Sequence, residues 1–552
     1  MMQLFAALAL GALASAGDGA ADLVVRDGRV WTADPEQPDA EWVAIMDGRV
    51  HSLGMGEPPA HLIDEDTVVL EARGRSVLPG LIDAHVHLAG AAEGFALLDV
   101  RGAASREALL ELVARRAAAT DAGDWIVGRG WSAESWPDPR APRADELQAA
   151  AGERPVVLVR MDGHSLIASS RALELAGIDA EGPADPAGGK IGRLADGQPD
   201  GALYESAMGL VDAPSAADTV EGRRALMRQA LAQANAWGLT QVGAIDSRAT
   251  IEQELVPLDS AGELTLRVRA TVRDAGPTLS AWSRALAWLD RPRTLSPNVE
   301  LLGFKGFMDG SLGSHTAWML ADFDDAPGNV GFPLALAETG ELKTLIDLAA
   351  DRGLQPAVHA IGDRANRTIL DWYEAIPVER RADLRPRVEH AQHLAPEDVG
   401  RFAELGVVAS MQPYHKADDG RYAQTRIGPV RCATSYAFRD LVDSGATLAF
   451  GSDWPVVSAD PLLGLAAAVE AGTLDGKTFV PEQSLTLDEA LTAYTRGAAF
   501  ALHSEGWSGA LIPGYVGDLV LVDRDLFASE ESLAEARVVA TVVGGRVVFA
   551  RD

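Results

Sequence analysis

The chain has 552 residues, a single cysteine and a formal net charge of −32. Its length accommodates a domain of about 250 residues plus a smaller one, and its 47% apolar content supplies a core. So acidic a surface repels nucleic acid and anionic lipid, and Cys432 alone can form neither an internal disulfide nor a thiolate zinc cluster.

Residues 1–16 read as an export leader. Leu4 to Ala14 is apolar and of signal-peptide length, Ala14-Ser15-Ala16 fits a small-residue cleavage site, and the stretch is too short to span a bilayer. The expected location is periplasmic or secreted, with no membrane insertion once the leader is removed. The n-region lacks Lys and Arg, so the alternative is a cytoplasmic chain with an apolar start.

Next come three strand-like runs, "DLVVRDGRVWTA", "EWVAIMDGRVHSLG" and "TVVLEARGRSVLPG". Asp27-Gly28 and Asp47-Gly48 each lie between β-rich arms, a hairpin signal. The far end echoes this with "GDLVLVDRD" and with "ARVVATVVGGRVVFA", which turns at Gly544-Gly545. The expected arrangement is one small β-sandwich built from residues 22–78 and 506–552, with a larger domain, 79–505, inserted between them.

That middle region alternates short apolar runs with helical patterns. The predicted strands are Ser76–Ile82, Gln241–Ile245, Leu264–Val272, Val299–Phe304, Gln355–Val358, Pro386–Glu389, Val407–Met411 and Thr447–Phe450; amphipathic segments such as Arg223–Trp237 and Glu341–Arg352 lie between them. Sustained strand–helix alternation predicts an α/β chain, a (β/α)8 TIM-type barrel. Residues 90–215, approximately, break the rhythm. They read as an insertion after the first barrel strand, made of helices, a Trp-rich loop (Trp125, Trp131, Trp136) and a Gly/Asp/Pro-rich loop near Asp185–Asp200.

"SVLPGLIDAHVHLAG" ends an apolar strand with His85 and His87. Positions i and i+2 of a strand face the same side, so both imidazoles would enter the barrel mouth and suit two ligands of one zinc ion. His359, His390 and Asp453 close three further strands. Strand C-termini are where β/α barrels place their active sites. Each residue alone could be a satisfied core histidine or a helix cap; together they converge on one rim.

"PGLIDAHVHL" resembles the signature of the amidohydrolase superfamily. "FKGFMDGSLGS", "PAVHAIGDRA", "RVEHAQ" and "FGSDWP" resemble the later motifs of its metal-dependent amidohydrolase family 3, the branch that includes N-substituted formamide deformylases. "RMDGHS", "WIVGRGW" and "TLDEALTAYTRGAA" fit the same branch, so the resemblance runs through nearly the whole chain after the leader. It implies a small-molecule amide substrate and two divalent ions, with zinc expected. His85 and His87 would hold the first ion and His359 and His390 the second, while Asp453 completes the first site. Lys305, one of five lysines, would be carboxylated and bridge the two, a modification open to an amine but not to a guanidinium; an ion pair with Asp309 or another acid is the alternative. The implied reaction is hydrolysis of an amide-type C–N bond other than a peptide bond, with Asp453 as proton carrier.

His164 in "RMDGHS", Gln412 and His415 in "MQPYH", Trp131 and Trp454 are candidate substrate contacts, with Trp136 and Tyr414 as further aromatic candidates. His393 is expected on the helix after His390, and His315 is a candidate outer group. Two other readings stand beside this one: a mononuclear deaminase of the same superfamily, which would not need Lys305, and a binding protein that keeps the barrel without chemistry. Assembly as a homodimer is open.

Overall fold

The computed structural model describes residues 19–133, 136–186, 189–214, 219–273, 278–528 and 531–551; the leader-like stretch 1–16 lies outside them. Eight parallel strands form the central sheet: β1 (Leu81–Val86), β2 (Leu239–Asp246), β3 (Arg267–Val272), β4 (Val299–Phe307), β5 (Gln355–Ala360), β6 (Arg387–His390), β7 (Val408–Met411) and β8 (Leu448–Phe450). Each pairs with the next in chain order. Between β8 and β1 the ring closes through the segment that follows β8. Asp453 N–H donates to the His85 carbonyl at 2.7 Å, and His87 N–H donates to the Trp454 carbonyl at 2.8 Å. Helices such as Val220–Ala236 and Glu341–Asp351 pack their apolar faces outside the ring. Strands covered on both sides have little need to alternate, hence fully buried runs such as β1 and β2. This is an α/β protein with a nearly closed TIM-type barrel.

The predicted strand Ser76–Ile82 is two strands. Ser76–Pro79 belongs to the sandwich, pairing with Leu519–Val522 and Arg29–Trp31, and β1 begins at Leu81. Gly80 makes the crossing: a Cβ there would lie 2.2 Å from Thr240 Oγ1, so only glycine fits between the two sheets.

The sandwich has one sheet of Leu23–Arg26, Trp42–Met46, Arg49–Gly54 and Val68–Glu71. A second sheet combines Arg29–Trp31, Asp39–Ala40 and Ser76–Pro79 with Leu519–Val522, Val538–Val543 and Arg546–Ala550. Their shared core includes Val25, Ile45, Val77, Leu519 and Val542. Asp47-Gly48, at φ 51° and 71°, is a hairpin turn as expected. Asp27-Gly28 is not a hairpin: its flanking strands lie in different sheets, and the turn passes the chain between them.

The insertion also differs from expectation. It contains a six-stranded sheet with strands Leu98–Asp99, Ile126–Trp131, Val156–Arg160, Ser165–Ala168, Gly189–Arg193 and Pro199–Glu205, backed by helices Arg106–Ala118 and Ala144–Ala151. Trp131 is a strand residue. Gly128, Arg129 and Gly130 interrupt the apolar pattern of its strand, and the pairing is irregular between Arg129 and Trp131.

Candidate metal centre and its cavity

The carboxyl ends of the barrel strands bring six chemically active side chains to one point. His85 Nε2 lies 3.3 Å from Lys305 Nζ and 3.4 Å from Asp453 Oδ1. His87 Nε2 lies 2.9 Å from the same Asp453 oxygen. The His390 ring lies tilted to His85 at a centroid distance of 5.1 Å and edge-on to His359 at 4.5 Å. His85, His390 and Asp453 each offer a ligand atom, and these atoms lie within 4.8 Å of one another. The backbone is bent to achieve this: His390 and Asp453 sit at φ 77° and 60°, in the left-handed region that Asn, Asp and His enter more often than other side-chain-bearing residues. Gly451 allows the end of β8 to lie against β1, since a Cβ there would come within 2.7 Å of the His85 nitrogen.

The histidines are oriented by acceptors on their far nitrogens. His85 Nδ1 lies 2.7 Å from Glu389 Oε2, His87 Nδ1 2.7 Å from the Ile245 carbonyl, and His390 Nδ1 2.7 Å from Gln412 Oε1. In each ring the Nδ1–H donates outward, which leaves the Nε2 lone pair available inside. Metal-binding imidazoles are held this way, so the donor set fits a divalent ion. His359 is reversed: its Nε2 lies 3.0 Å from the Gly310 carbonyl, which leaves Nδ1 as its free atom.

Burial lowers the His85 imidazole to about 4, with Lys305 adding to the effect and Glu389 opposing it, so the Glu389–His85 contact joins a carboxylate to a neutral ring. Burial, then His359 and Lys305, hold His390 well below the usual imidazole range. Burial also lowers Lys305 to about 8, against the pull of Glu389 and Asp453. For Asp453 burial acts upward, but His85 and His87 outweigh it and keep the carboxyl well below its ordinary value. Glu389 behaves alike: burial raises it, and Arg387 and His85 more than reverse that. Its carboxylate takes bonds from Arg387 Nε at 2.6 Å and Ser410 Oγ at 2.7 Å, and no part of Arg387, Glu389 or Ser410 reaches solvent.

A cavity of about 820 Å³ opens above the cluster, a size ordinary for a small-molecule site. His164 and His415 lie on its wall. His164 comes from the insertion and lies 3.2 Å from both oxygens of Glu205, the first cause of its raised pKa. His415 Nε2 lies 3.1 Å from the Ser452 carbonyl. The other candidates for substrate contact are elsewhere. Gln412 is fully buried behind His390, where it positions that ring. Trp131 donates its indole N–H to the Leu158 carbonyl at 2.9 Å inside the core of the insertion, which also holds Trp136. Trp454 packs edge-on against Trp237 at 5.2 Å in the core of the barrel. His393 is not helical: it is buried in a loop, with Nδ1 2.7 Å from Ser435 Oγ. His315 pairs with Asp325 at 2.9 Å, away from the cluster. Asp309 does not pair with Lys305; its carboxylate accepts from the backbone N–H groups of Trp318, Ile361 and Gly362 at 2.8 to 3.0 Å.

Glu389 and Arg387 hold His85 in place and are not among the site residues expected from the sequence. Their signal was present in "RVEHAQ", where Arg387 and Glu389 alternate with Val388 and His390 along one strand. Asp246 is another; it accepts from the N–H groups of Leu88 and Ala89, just after His87, at 3.0 and 3.1 Å.

A parallel barrel carrying imidazoles, a buried lysine and a low-pKa aspartate on its carboxyl rim defines a barrel hydrolase of the metal-dependent type. Comparison with known proteins specifies it further. The chain belongs to the amidohydrolase family, whose sequence profile matches residues 68–549. It is 34% identical to Protein LONG AFTER FAR-RED 3 of Arabidopsis thaliana over 96% of this chain and 92% of that one. It is 28% identical to the N-substituted formamide deformylase of Arthrobacter pascens, over 96% and 98%. Among solved structures, an uncharacterized metal-dependent hydrolase from Pyrococcus horikoshii OT3 superposes with a TM-score of 0.74 at 26% identity, covering 93% of this chain and 99% of that one.

Proposed function

We propose that the protein hydrolyses a non-peptide amide-type C–N bond, in an N-substituted formamide or a related amide, at a centre of two divalent ions. The observation that carries this reading is the convergence of His85, His87, His390 and Asp453, with the far nitrogen of each imidazole already engaged and Lys305 Nζ 3.3 Å from His85 Nε2. His85, His87, His359, His390, Asp453 and carboxylated Lys305 would hold the ions. Such ions, zinc being the expected one, lower the pKa of bound water toward about 7 and polarise a carbonyl.

The chain's own groups supply the rest. Asp453 is held as a carboxylate by its two histidine neighbours, so it can accept a proton from the attacking water and return it to the leaving nitrogen. Burial lowers Lys305 to about 8, which makes its free amine accessible near neutral pH. The amine adds to carbon dioxide, releases a proton and becomes a carbamate with one negative charge. His164 and His415 face the substrate from opposite contributions to the wall, the insertion and the segment after β7.

The test joins metal analysis to a hydrolysis screen over N-substituted formamides, acylated amines, cyclic amides and esters. Two ions per chain and turnover of one amide class support the proposal. A single bound ion with release of ammonia from an amino-substituted ring would favour the mononuclear deaminase instead.

A further inference from the structure

The wall of the cavity carries several positive charges beside its acids. Five arginines line it: Arg129, Arg160, Arg273, Arg421 and Arg426. Three have carboxylate partners: Arg160 pairs with Asp162, Arg421 with Asp418 and Arg426 with Asp325. Arg129 and Arg273 form no contact ion pair among the described residues; Asp453 and Asp162 act on Arg129, and Arg273 on Asp246, only through space. Arg129 reaches only the Met161 carbonyl, at 3.4 Å. Arg273 lies over the ring of Phe307 at 5.7 Å. The two come from different units, Arg129 from the insertion sheet and Arg273 from the residue after β3, so the fold brings them to one cavity from two sides.

The acids on the same wall are spoken for. Asp246 and Asp309 accept backbone N–H groups, Asp419 takes bonds from Tyr422 and Tyr436, and Asp453 faces the histidines. Glu93 differs: burial raises its carboxyl, with Arg223 opposing and Asp246 adding to the effect. Burying part of a guanidinium without a partner is unfavourable, and Arg129 is pushed below its ordinary value by that burial.

We propose that Arg129 and Arg273 bind an oxyanion on the substrate, a carboxylate or a phosphate remote from the bond that is cleaved. A guanidinium offers paired N–H donors that match such groups, and charge-assisted bonds of this kind are the stronger ones. Phe307 under Arg273 and Met161 beside Arg129 supply apolar surface for the carbon skeleton between the anion and the amide. The substrate class implied is an anionic amide rather than a neutral N-alkyl or N-aryl one. This assignment of substrate class rests on the hydrolase reading above.

Two measurements separate the ideas. The first is turnover of N-formyl-L-phenylalanine against its neutral carboxamide, with the phosphate ester of N-formyl-2-aminoethanol as the phosphate arm. The second is calorimetric binding of 3-phenylpropionate, 2-phenylethyl phosphate and 2-phenylethanol to the metal-loaded protein, with the metal content of every variant measured. The expected result is that one of the anions binds about tenfold or more tightly than the alcohol. That advantage should disappear in Arg129→Gln/Arg273→Gln and persist in part in Arg129→Lys/Arg273→Lys. The stronger of the two anions identifies the group. Arg273 is exposed, so Arg273→Gln alone preserves the test should the double variant fold poorly. Anion binding that is unchanged in the Gln variants at full metal content means that the ions hold it, and overturns the proposal. Arginine-dependent anion binding without turnover of any amide leaves this proposal standing and removes the hydrolase reading. Turnover of charged and neutral formamides alike, with no effect of the Gln variants, does the reverse.

Discussion

Replacing Glu389 with glutamine tests whether the buried Arg387–Glu389–His85 relay governs both stability and metal affinity. Glutamine is nearly isosteric, so packing is preserved and the charge is what changes. Its single carbonyl oxygen can accept from His85 or from Arg387, and its NH2 group then meets a donor on the other side. Arg387 would keep one bond, to the Ala84 carbonyl at 2.9 Å, while Nη1 already has no partner among the described residues. Removing one member of a buried ion pair costs about 3–5 kcal/mol, because the remaining charge is stranded. Losing the acceptor behind a liganding imidazole weakens metal binding by about 10–100-fold. Denaturant midpoints of the metal-free protein read the first effect, and competition against a chelator reads the second. In Glu389→Leu/Arg387→Met most of the stability should return, since both charges leave together, while metal affinity stays low. A Glu389→Gln protein within about 1 kcal/mol of the parent and with the parent's metal affinity would refute the relay.

Three further outcomes are expected. Asp453→Asn should fold and lose about a hundred- to ten-thousand-fold in turnover; activity within a few-fold of the parent would reduce Asp453 to a structural role. Lys305→Arg should be inactive, whereas Lys305→Ala should regain activity with added short-chain carboxylates, and an active Lys305→Arg protein with two bound ions would exclude the carbamate. Burial, with Arg431 nearby, lowers His393 to about 3. The unfolded imidazole, at about 6.5, therefore takes up its proton first, so the stability His393 contributes is complete above pH 6.5 and is lost as the pH falls toward 3. Melting of His393→Asn should fall less steeply than the parent through that window, and parallel acid limbs would contradict the assignment.

The barrel was legible because each of its strands is a short apolar run between helical patterns, and because a polar residue closes the strands that matter. His85 and His87 were conspicuous for that reason, being imidazoles directly after Leu81–Ala84. Glu389 and Arg387 were not, because each satisfies the other inside the barrel and a charged residue in a strand ordinarily marks an exposed face. The indoles misled in the opposite sense. Trp131 and Trp454 stand in motif-like surroundings, yet a large ring gains more from burial than from a solvent-lined wall, and both lie in cores. The insertion sheet was obscured by its glycines and arginines, which hide the period of two that a strand needs to be recognised.

Gly80 joins a sandwich strand to the strand that carries His85, and this has a consequence for biosynthesis. Ser76–Pro79 is flanked by Arg29–Trp31 on one side and Leu519–Val522 on the other. The first neighbour is synthesised early and the second only after the whole barrel. Until then the nascent chain presents Ser76–Pro79 as an open sheet edge, a template for mispairing with other chains. Contacts between residues so distant in sequence also form slowly. A ribosome stalled before residue 519 should therefore hold a barrel with an uncovered edge beside its first strand. Pairing of Leu519–Val522 with Ser76–Pro79 is then what covers that edge.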